Sequence, residues 1–346
     1  MRFKIGPLMG LSTAALLVFT LPGSAGEEEQ GSVGLKFDAH RKWSFVIPDE
    51  QWHVVGDELS LDGLAFATSV SGAPGATKLH IDADADGKSD DVLRGLGGEV
   101  ALRAKKESGE RFDYAIRFRS NGTTWTWAPG GSMVGKVGGR TIHVIDRNGN
   151  GRYDDFGQDA LIVGNGEAAS FLSRVINVDG ALYDFEISAN GAQARVEPFE
   201  GDSGIINGVE GFEVTGKLVS AVVQDGDRSF NLADDENGVR VPVGKYRLVS
   251  GLAVRSTESV QMRTGHMAPI EVKAGEEKIL SWGGPVQAEF DYGVMGTAIT
   301  VSADLRFYGR MGEEYHTFKP DAKSPKIFIR DANTGELLDS GRFGGC

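Results

Sequence analysis

Apolar and polar residues alternate with a two-residue period along much of this chain. The clearest alternating or β-branched segments are 100–104, 112–119, 141–145, 183–187 and 217–223. Successive side chains of a strand point to opposite faces of a sheet, so this period predicts strands. Tight hairpin turns are indicated by Asn-Gly or Asp-Gly pairs at 121–122, 179–180, 190–191 and 225–226. The pattern predicts an all-β protein, in which only 166–175 and 91–96 leave room for a helical turn.

Two breaks rich in Pro and Gly interrupt this pattern, VEPFEGDSG at 196–204 and WGGP at 282–285. They predict consecutive β-sandwich-like domains. We place the domains at 27–200, 201–284 and 285–346. The last is short for a free-standing sandwich, so the alternative is that it shares a core with the second.

The first 26 residues have the layout of a secretory signal peptide. Arg2 and Lys4 precede an uncharged apolar run at 10–21, and small residues follow at 23–26. This run is too short to cross a bilayer, and no later apolar run reaches spanning length. We therefore expect an exported protein without a membrane span, located in the periplasm, at the cell surface or outside the cell.

The charge balance is acidic. The chain has 36 basic and 49 acidic residues, and without the two basic residues of the predicted signal peptide the balance is 34 against 49, a net charge of −15. Such a surface argues against nucleic acid and anionic membranes as partners and favours cations. The single Cys is Cys346, so no internal disulfide forms, and a bound metal is one alternative means of stabilisation.

Two ten-residue segments share one pattern of oxygen-bearing side chains. Loop one (residues 82–91) reads DADADGKSDD and loop two (residues 146–155) reads DRNGNGRYDD. Both place Asp or Asn at positions 1, 3, 5, 9 and 10 and Gly at position 6. Calcium takes six to eight oxygen ligands, and a chain that turns around the ion offers alternate side chains to it. The pattern therefore predicts two calcium-binding hairpin loops in the N-terminal region.

The EF-hand form of such a loop does not fit, because Leu93 and Gly157 occupy position 12, where that motif has a bidentate Glu. The segments instead resemble the hairpin calcium loops of integrin-type propeller blades, which are closed by a carboxylate at position 9. The matching side chains are Asp82, Asp84, Asp86 and Asp90 in loop one, and Asp146, Asn148, Asn150 and Asp154 in loop two. The resemblance implies main-chain ligands at Lys88 and Arg152 and covers two loops, not the fold. Position 10 adds Asp91 and Asp155 to the predicted sets.

The loops differ in charge. Positions 3 and 5 are Asp in loop one and Asn in loop two. Since calcium affinity rises with the number of charged ligands, we expect loop one to bind calcium more tightly.

The rest of the chain suggests a scaffold. Its segments VDGALYDFEI and VPVGKYRLVSG and its closing strands resemble secreted β-rich proteins of environmental bacteria, with prealbumin-like and Ig-like modules in the C-terminal part. This resemblance implies no activity, because function resides in sites placed on such scaffolds. We expect a calcium-stabilised, non-enzymatic binding or structural module of the cell envelope or extracellular space.

The alternative is a protein that binds or degrades extracellular polysaccharide. Trp125 and Trp127 lie on one face of a predicted strand, where two indoles could stack on sugar rings, although such a face is more often core. His80 and His143 precede the two loops and are interpreted as strand residues beside a turn.

Overall fold

The computed structural model describes residues 31–296, 298–318 and 326–342. The predicted signal peptide and Cys346 lie outside the described residues. The described ranges contain thirty-two strands and no helix, so the prediction of an all-β, sandwich-like chain is confirmed. The two segments with room for a helical turn instead contain short strands and turns. Accordingly, no helix capable of crossing a bilayer occurs in these ranges.

The strands up to residue 198 form the first lobe. They are β1 (Ser32–Gly34), β2 (Lys36–Ala39), β3 (His53–Val54), β4 (Glu58–Leu61), β5 (Leu64–Ser71), β6 (Lys78–Ile81), β7 (Asp91–Arg94), β8 (Gly97–Lys105), β9 (Arg111–Ser120), β10 (Trp125–Pro129), β11 (Gly131–Val137), β12 (Arg140–Ile145), β13 (Ala160–Val163), β14 (Ser170–Phe171), β15 (Val175–Val178), β16 (Ala181–Ile187) and β17 (Gln193–Pro198).

The strands between residues 203 and 315 form the second lobe, and the two strands after them form a separate hairpin. They are β18 (Ser203–Asn207), β19 (Phe212–Glu213), β20 (Lys217–Asp225), β21 (Arg228–Asn231), β22 (Val239–Pro242), β23 (Gly244–Arg255), β24 (Glu258–Arg263), β25 (Ile270–Val272), β26 (Glu277–Ile279), β27 (Trp282–Gly283), β28 (Gln287–Met295), β29 (Ala298–Tyr308), β30 (Glu314–Tyr315), β31 (Lys326–Arg330) and β32 (Leu337–Arg342).

All four predicted Gly turns join neighbouring antiparallel strands: β9 to β10, β15 to β16, β16 to β17, and β20 to β21. Asp179 and Gly180 show why this dipeptide was informative. Their φ angles are 51° and 84°, and a two-residue turn with positive φ at both positions matches the twist of the flanking strands.

The first lobe packs four sheets around one core. Their strand orders are β1-β17-β16-β15, β3-β10-β9-β8, β14-β13-β12-β11-β2 and β4-β5-β6-β7. Each sheet contributes fully buried side chains to the same cluster, among them Phe66, Ile116, Ile142 and Phe185. This burial supplies the main driving force for folding of the lobe.

Trp125 and Trp127 belong to this core. Their exposed fractions are 1% and 7%, and the Trp125 indole donates a hydrogen bond to Thr77 Oγ1 at 3.1 Å. The alternative in which these two indoles form an exposed platform for sugars is therefore wrong. The alternating pattern placed them correctly on one face, but that face points inward.

The second lobe has its own core around a sheet ordered β21-β20-β23-β24-β30-β29-β28, with β25 also paired to β23. Smaller sheets pair β22-β18-β26 and β19-β27. Trp282 and Tyr246 are fully buried in this core, which also includes Tyr315 from beyond residue 285. Val175 and Leu182 of the first lobe are part of the same cluster, so the two lobes are packed together. The domain boundaries themselves stay a prediction.

Residues 43–51, named the strap, cross the outer face of the β14-β13-β12-β11-β2 sheet. Trp43, Phe45 and Ile47 pack there on a small separate cluster formed by Ile145, Ala160, Ile162 and Ala169. Val46 fixes the strap by exchanging backbone hydrogen bonds with 167–169.

Candidate metal centre

Loop one connects β6 to β7 as a hairpin loop. Asp82 has an exposed fraction of only 1%, whereas Asp84 and Asp86 are exposed. One carboxylate oxygen from each of the three lies within 4.8 Å of the others. Carboxylates this close repel each other unless a cation or hydrogen-bond donors compensate them. This cluster could hold a metal ion.

Backbone N–H groups hold the three carboxylates in place. Ala85 N and Gly87 N each donate to one oxygen of Asp82 at 2.8 Å. Asp86 N donates to Asp84 Oδ1 at 3.1 Å, and Lys88 N donates to Asp86 Oδ1 at 2.8 Å. We call this arrangement the ladder. It requires positive φ at positions 4 and 6, where Ala85 has 63° and Gly87 has 86°.

The remaining predicted ligands of loop one lie around this cluster. Asp90 accepts a hydrogen bond from Ala83 N at 2.8 Å, which ties position 9 to the start of the loop. Asp91 is exposed and begins β7. The exposed Lys88 ammonium lies 3.0 Å from Asp86 Oδ2, and its hydrogen bond lowers the pKa of that carboxyl. It is the one cation that pairs with a carboxylate of the loop in the described chain.

Loop two follows β12 and repeats the ladder position by position. Gly149 N and Gly151 N donate to the two oxygens of Asp146 at 2.8 and 2.6 Å. Asn150 N donates to Asn148 Oδ1 at 3.2 Å, and Arg152 N donates to Asn150 Oδ1 at 2.8 Å. The φ angles at positions 4 and 6 are 71° and 84°, close to those of loop one.

The side chains of loop two make different contacts from those of loop one. Because each amide oxygen already accepts from the backbone, the amide nitrogens of Asn148 and Asn150 face Asp155. They donate to its Oδ2 at 2.8 and 2.6 Å. Asp154, predicted to close the loop from position 9, instead forms an ion pair with Arg152 at 2.9 Å. The carboxylate directed at the amides of loop two is thus the one at position 10.

Loop two is also more deeply embedded. Asp146 is fully buried and accepts a hydrogen bond from the Tyr114 hydroxyl at 2.6 Å. Burial raises the pKa of Asp146 to about 6. Asp159, which is also fully buried, accepts hydrogen bonds from Arg147 N at 3.2 Å and Asp155 N at 3.1 Å. Burial, and next the charge of Asp146, raise the pKa of Asp159.

Asp159 and Tyr114 were missed from the sequence. Asp159 braces the two ends of loop two but lies four residues beyond the repeated pattern, where loop one has no equivalent. Tyr114 is indistinguishable in sequence from an ordinary core residue of an alternating strand. Only the pairing of distant segments reveals that its hydroxyl reaches Asp146.

A second polar group lies under the strap. Ser132 Oγ is 2.8 Å from His40 Nε2 and 3.2 Å from His143 Nδ1, and His40 Nδ1 is 3.7 Å from Asp38 Oδ2. Burial lowers the pKa of both imidazoles. The order Asp–His–Ser resembles a nucleophilic triad, but Ser132 has no exposed surface and lies within a strand. A substrate cannot reach its hydroxyl in this structure.

Comparisons with known proteins return no family model, curated protein or solved structure that matches this chain. Any assignment of the site therefore depends on its own residues and geometry.

Proposed function

We propose that loop one binds Ca²⁺ and that the protein is an exported, calcium-stabilised module that binds other molecules or has a structural role without catalysis. The observation that carries this proposal is the convergence of Asp82, Asp84 and Asp86 on one small volume. The backbone ladder already holds these carboxylates, so little ordering is required when an ion binds.

Calcium is the ion that best suits this chemistry. The cluster offers only hard oxygen ligands, which suit calcium, magnesium and manganese, whereas zinc and copper favour sites with imidazole or thiolate. Calcium also tolerates the irregular, partly exposed geometry of a hairpin loop, and magnesium requires a near-ideal octahedron. The high calcium concentration outside cells makes even a weak site useful to an exported protein.

An ion in loop one would stabilise the fold, because it binds the folded hairpin and not the unfolded chain. Export is supported by the N-terminal sequence. For an exported chain, the lack of internal disulfides favours a bound metal as the means of stabilisation. The resemblance to secreted β-rich bacterial proteins is part of this proposal. Burial of Ser132 disfavours catalysis through a serine nucleophile.

Loop two is proposed as the weaker calcium site. An ion there must displace the two hydrogen bonds that the amides of Asn148 and Asn150 donate to Asp155. This competition adds to the lower charge of its ligands.

Calorimetric titration of Ca²⁺ into protein stripped with EDTA tests the proposal. Asp84→Ala should weaken the tighter site by at least about tenfold, because it removes one ligand and one charge. Melting temperature should rise on addition of calcium in the wild type and less in this variant. Asp57→Ala, which changes an exposed acid outside both loops, is the matched control and should behave like the wild type. Absence of calcium heat in the wild type, with equal melting temperatures in calcium and EDTA, would refute the proposal.

A further inference from the structure

A groove of about 760 Å³ runs between the strap of the first lobe and the main sheet of the second. This volume lies in the range of roughly 300–1,000 Å³ that is usual for ligand sites, and junctions between packed units are a common place for them. The groove belongs to neither calcium loop.

The register of three adjacent strands builds the floor of the groove. Ser220 of β20 lies opposite Leu252 of β23, which lies opposite Gln261 of β24. Ser250 and Arg263 are two residues further along their strands, so they share this face. The floor is therefore largely polar, while the opposite face of the same sheet is the core of the second lobe.

The strap forms a firm wall. Arg147 of loop two donates hydrogen bonds from Nε to Pro48 O at 2.8 Å and from a terminal nitrogen to Asp49 O at 3.0 Å. Glu50 pairs with Arg117 at 2.6 Å, and the Arg117 guanidinium lies 3.9 Å from the Trp43 ring centroid. Because both arginines are buried, these contacts hold the strap in one position.

Most charges in the groove are already paired. Arg263 makes a bidentate pair with Glu314 at 2.9 and 2.7 Å. Glu50 is paired as described, and Asp49 leaves the lining slightly acidic. By contrast, the exposed side chains of Gln51 and Gln261 form no hydrogen bond within the described residues. They offer donors and acceptors from opposite sides, the wall and the floor.

We propose that this groove binds a neutral oligosaccharide. A carboxamide donates and accepts at once, as does the hydroxyl of Ser250, and this matches sugar hydroxyls, which also do both. Leu252 and Phe45 add apolar surface for the C–H faces of sugar rings. The paired charges and the residual Asp49 disfavour acidic polymers. This inference rests on the proposed binding role and names its site and ligand class.

The test uses the full mature chain, loaded with calcium, on an array of short neutral oligosaccharides of glucose, mannose, xylose and galactose, with uronate oligosaccharides alongside. We expect binding to at least one neutral series. For the best neutral oligosaccharide, calorimetry should show an affinity loss of at least about tenfold in the double variant Gln51→Ala with Gln261→Ala. Gln287→Ala, an exposed glutamine on β28 outside the groove, is the control and should retain wild-type affinity.

Three outcomes would overturn the inference: no binding to any neutral oligosaccharide, binding confined to uronates, or unchanged affinity in the double variant. Unchanged melting temperatures in the double variant would exclude misfolding as the cause of a loss. Calcium heat in the same samples distinguishes the two proposals. A protein that binds calcium but no sugar would contradict only the groove proposal. If the calcium proposal is wrong, the same samples will show no heat of calcium binding.

Discussion

Loop one and loop two share one pattern of backbone hydrogen bonds but differ in the side chains at positions 3 and 5, which are carboxylates in loop one and amides in loop two. In both, position 1 accepts N–H groups from positions 4 and 6, and positions 3 and 5 accept from positions 5 and 7. Loop one then directs three carboxylates at each other, while loop two directs two amides at Asp155. The amide N–H groups of loop two thus provide the positive partners that an ion would provide in loop one.

This difference shows that a calcium-loop sequence pattern contains two separable instructions. Asp or Asn at positions 1, 3 and 5, with small residues at 4 and 6, specifies the turn, because either side chain can accept the ladder hydrogen bonds. The number of carboxylates at positions 3 and 5 decides how strongly the loop needs a bound ion to offset its negative charge. Both loops have the residues that specify the turn, whereas only loop one has carboxylates at positions 3 and 5.

The largest expected effect comes from the first position of each loop. In EDTA, Asp146→Ala should lower the free energy of unfolding by about 3–5 kcal/mol, because it leaves the Tyr114 hydroxyl and several N–H groups unpaired in a buried site. Asp82→Ala should cost less, since it also relieves repulsion with Asp84 and Asp86. Urea denaturation measures both. An equal or greater loss for Asp82→Ala would contradict the idea that loop two is closed without an ion.

A smaller effect is expected from the histidine that precedes each loop. His143 is half-buried with a lowered pKa, and His80 is bonded to Ser71 in a more exposed site. Because the pKa of His143 is lowered in the folded state, the unfolded chain takes up a proton on this imidazole at a higher pH than the folded protein does. Stability due to His143 is therefore complete above pH about 6.5 and declines as the pH falls below that value.

Replacing His143 by Gln should reduce this decline, and His80→Gln is the matched control. Urea midpoints measured in EDTA between neutral and mildly acidic pH give the comparison. If both variants follow the wild-type curve, the buried imidazole has no part in the acid sensitivity of the first lobe.

The smallest effect concerns position 7, where Lys88 and Arg152 each pair with an acid of their own loop. Lys88→Gln should raise calcium affinity slightly, within about threefold, because it removes a cation that competes for Asp86. Arg152→Gln should leave the calcium affinity of loop one unchanged. Calorimetry on both variants gives the answer, and weaker calcium binding by Lys88→Gln would mean that the side chain of Lys88 supports the site.

Strands and turns were predictable because their signals are local. The alternation at 112–119 and the Asp179–Gly180 turn each depend on residues that are neighbours in sequence. The closure of loop two was not predictable, since position 9 and position 10 are both Asp and only the fold shows which one faces the amides. The inward direction of Trp125 and Trp127 was not predictable either, because alternation defines two faces of a strand without showing which of them is buried.

The strap and the groove were also invisible in the sequence. Residues 43–51 have no regular period, and their position depends on arginines at 117 and 147 that are far away along the chain. Ser220, Leu252 and Gln261 become neighbours only through the register of three strands. Such long-range pairings have no local signal that a single sequence could reveal.

Exchange of positions 3 and 5 between the loops tests the central claim most directly. Calcium titration by calorimetry should show the tighter site lost when Asp84 and Asp86 are both replaced by Asn. A new tight site should appear when Asn148 and Asn150 are both replaced by Asp, because the ladder of loop two then presents carboxylates in place of amides. Wild-type calcium affinity in the first double variant would contradict the claim that these two carboxylates of loop one hold the ion.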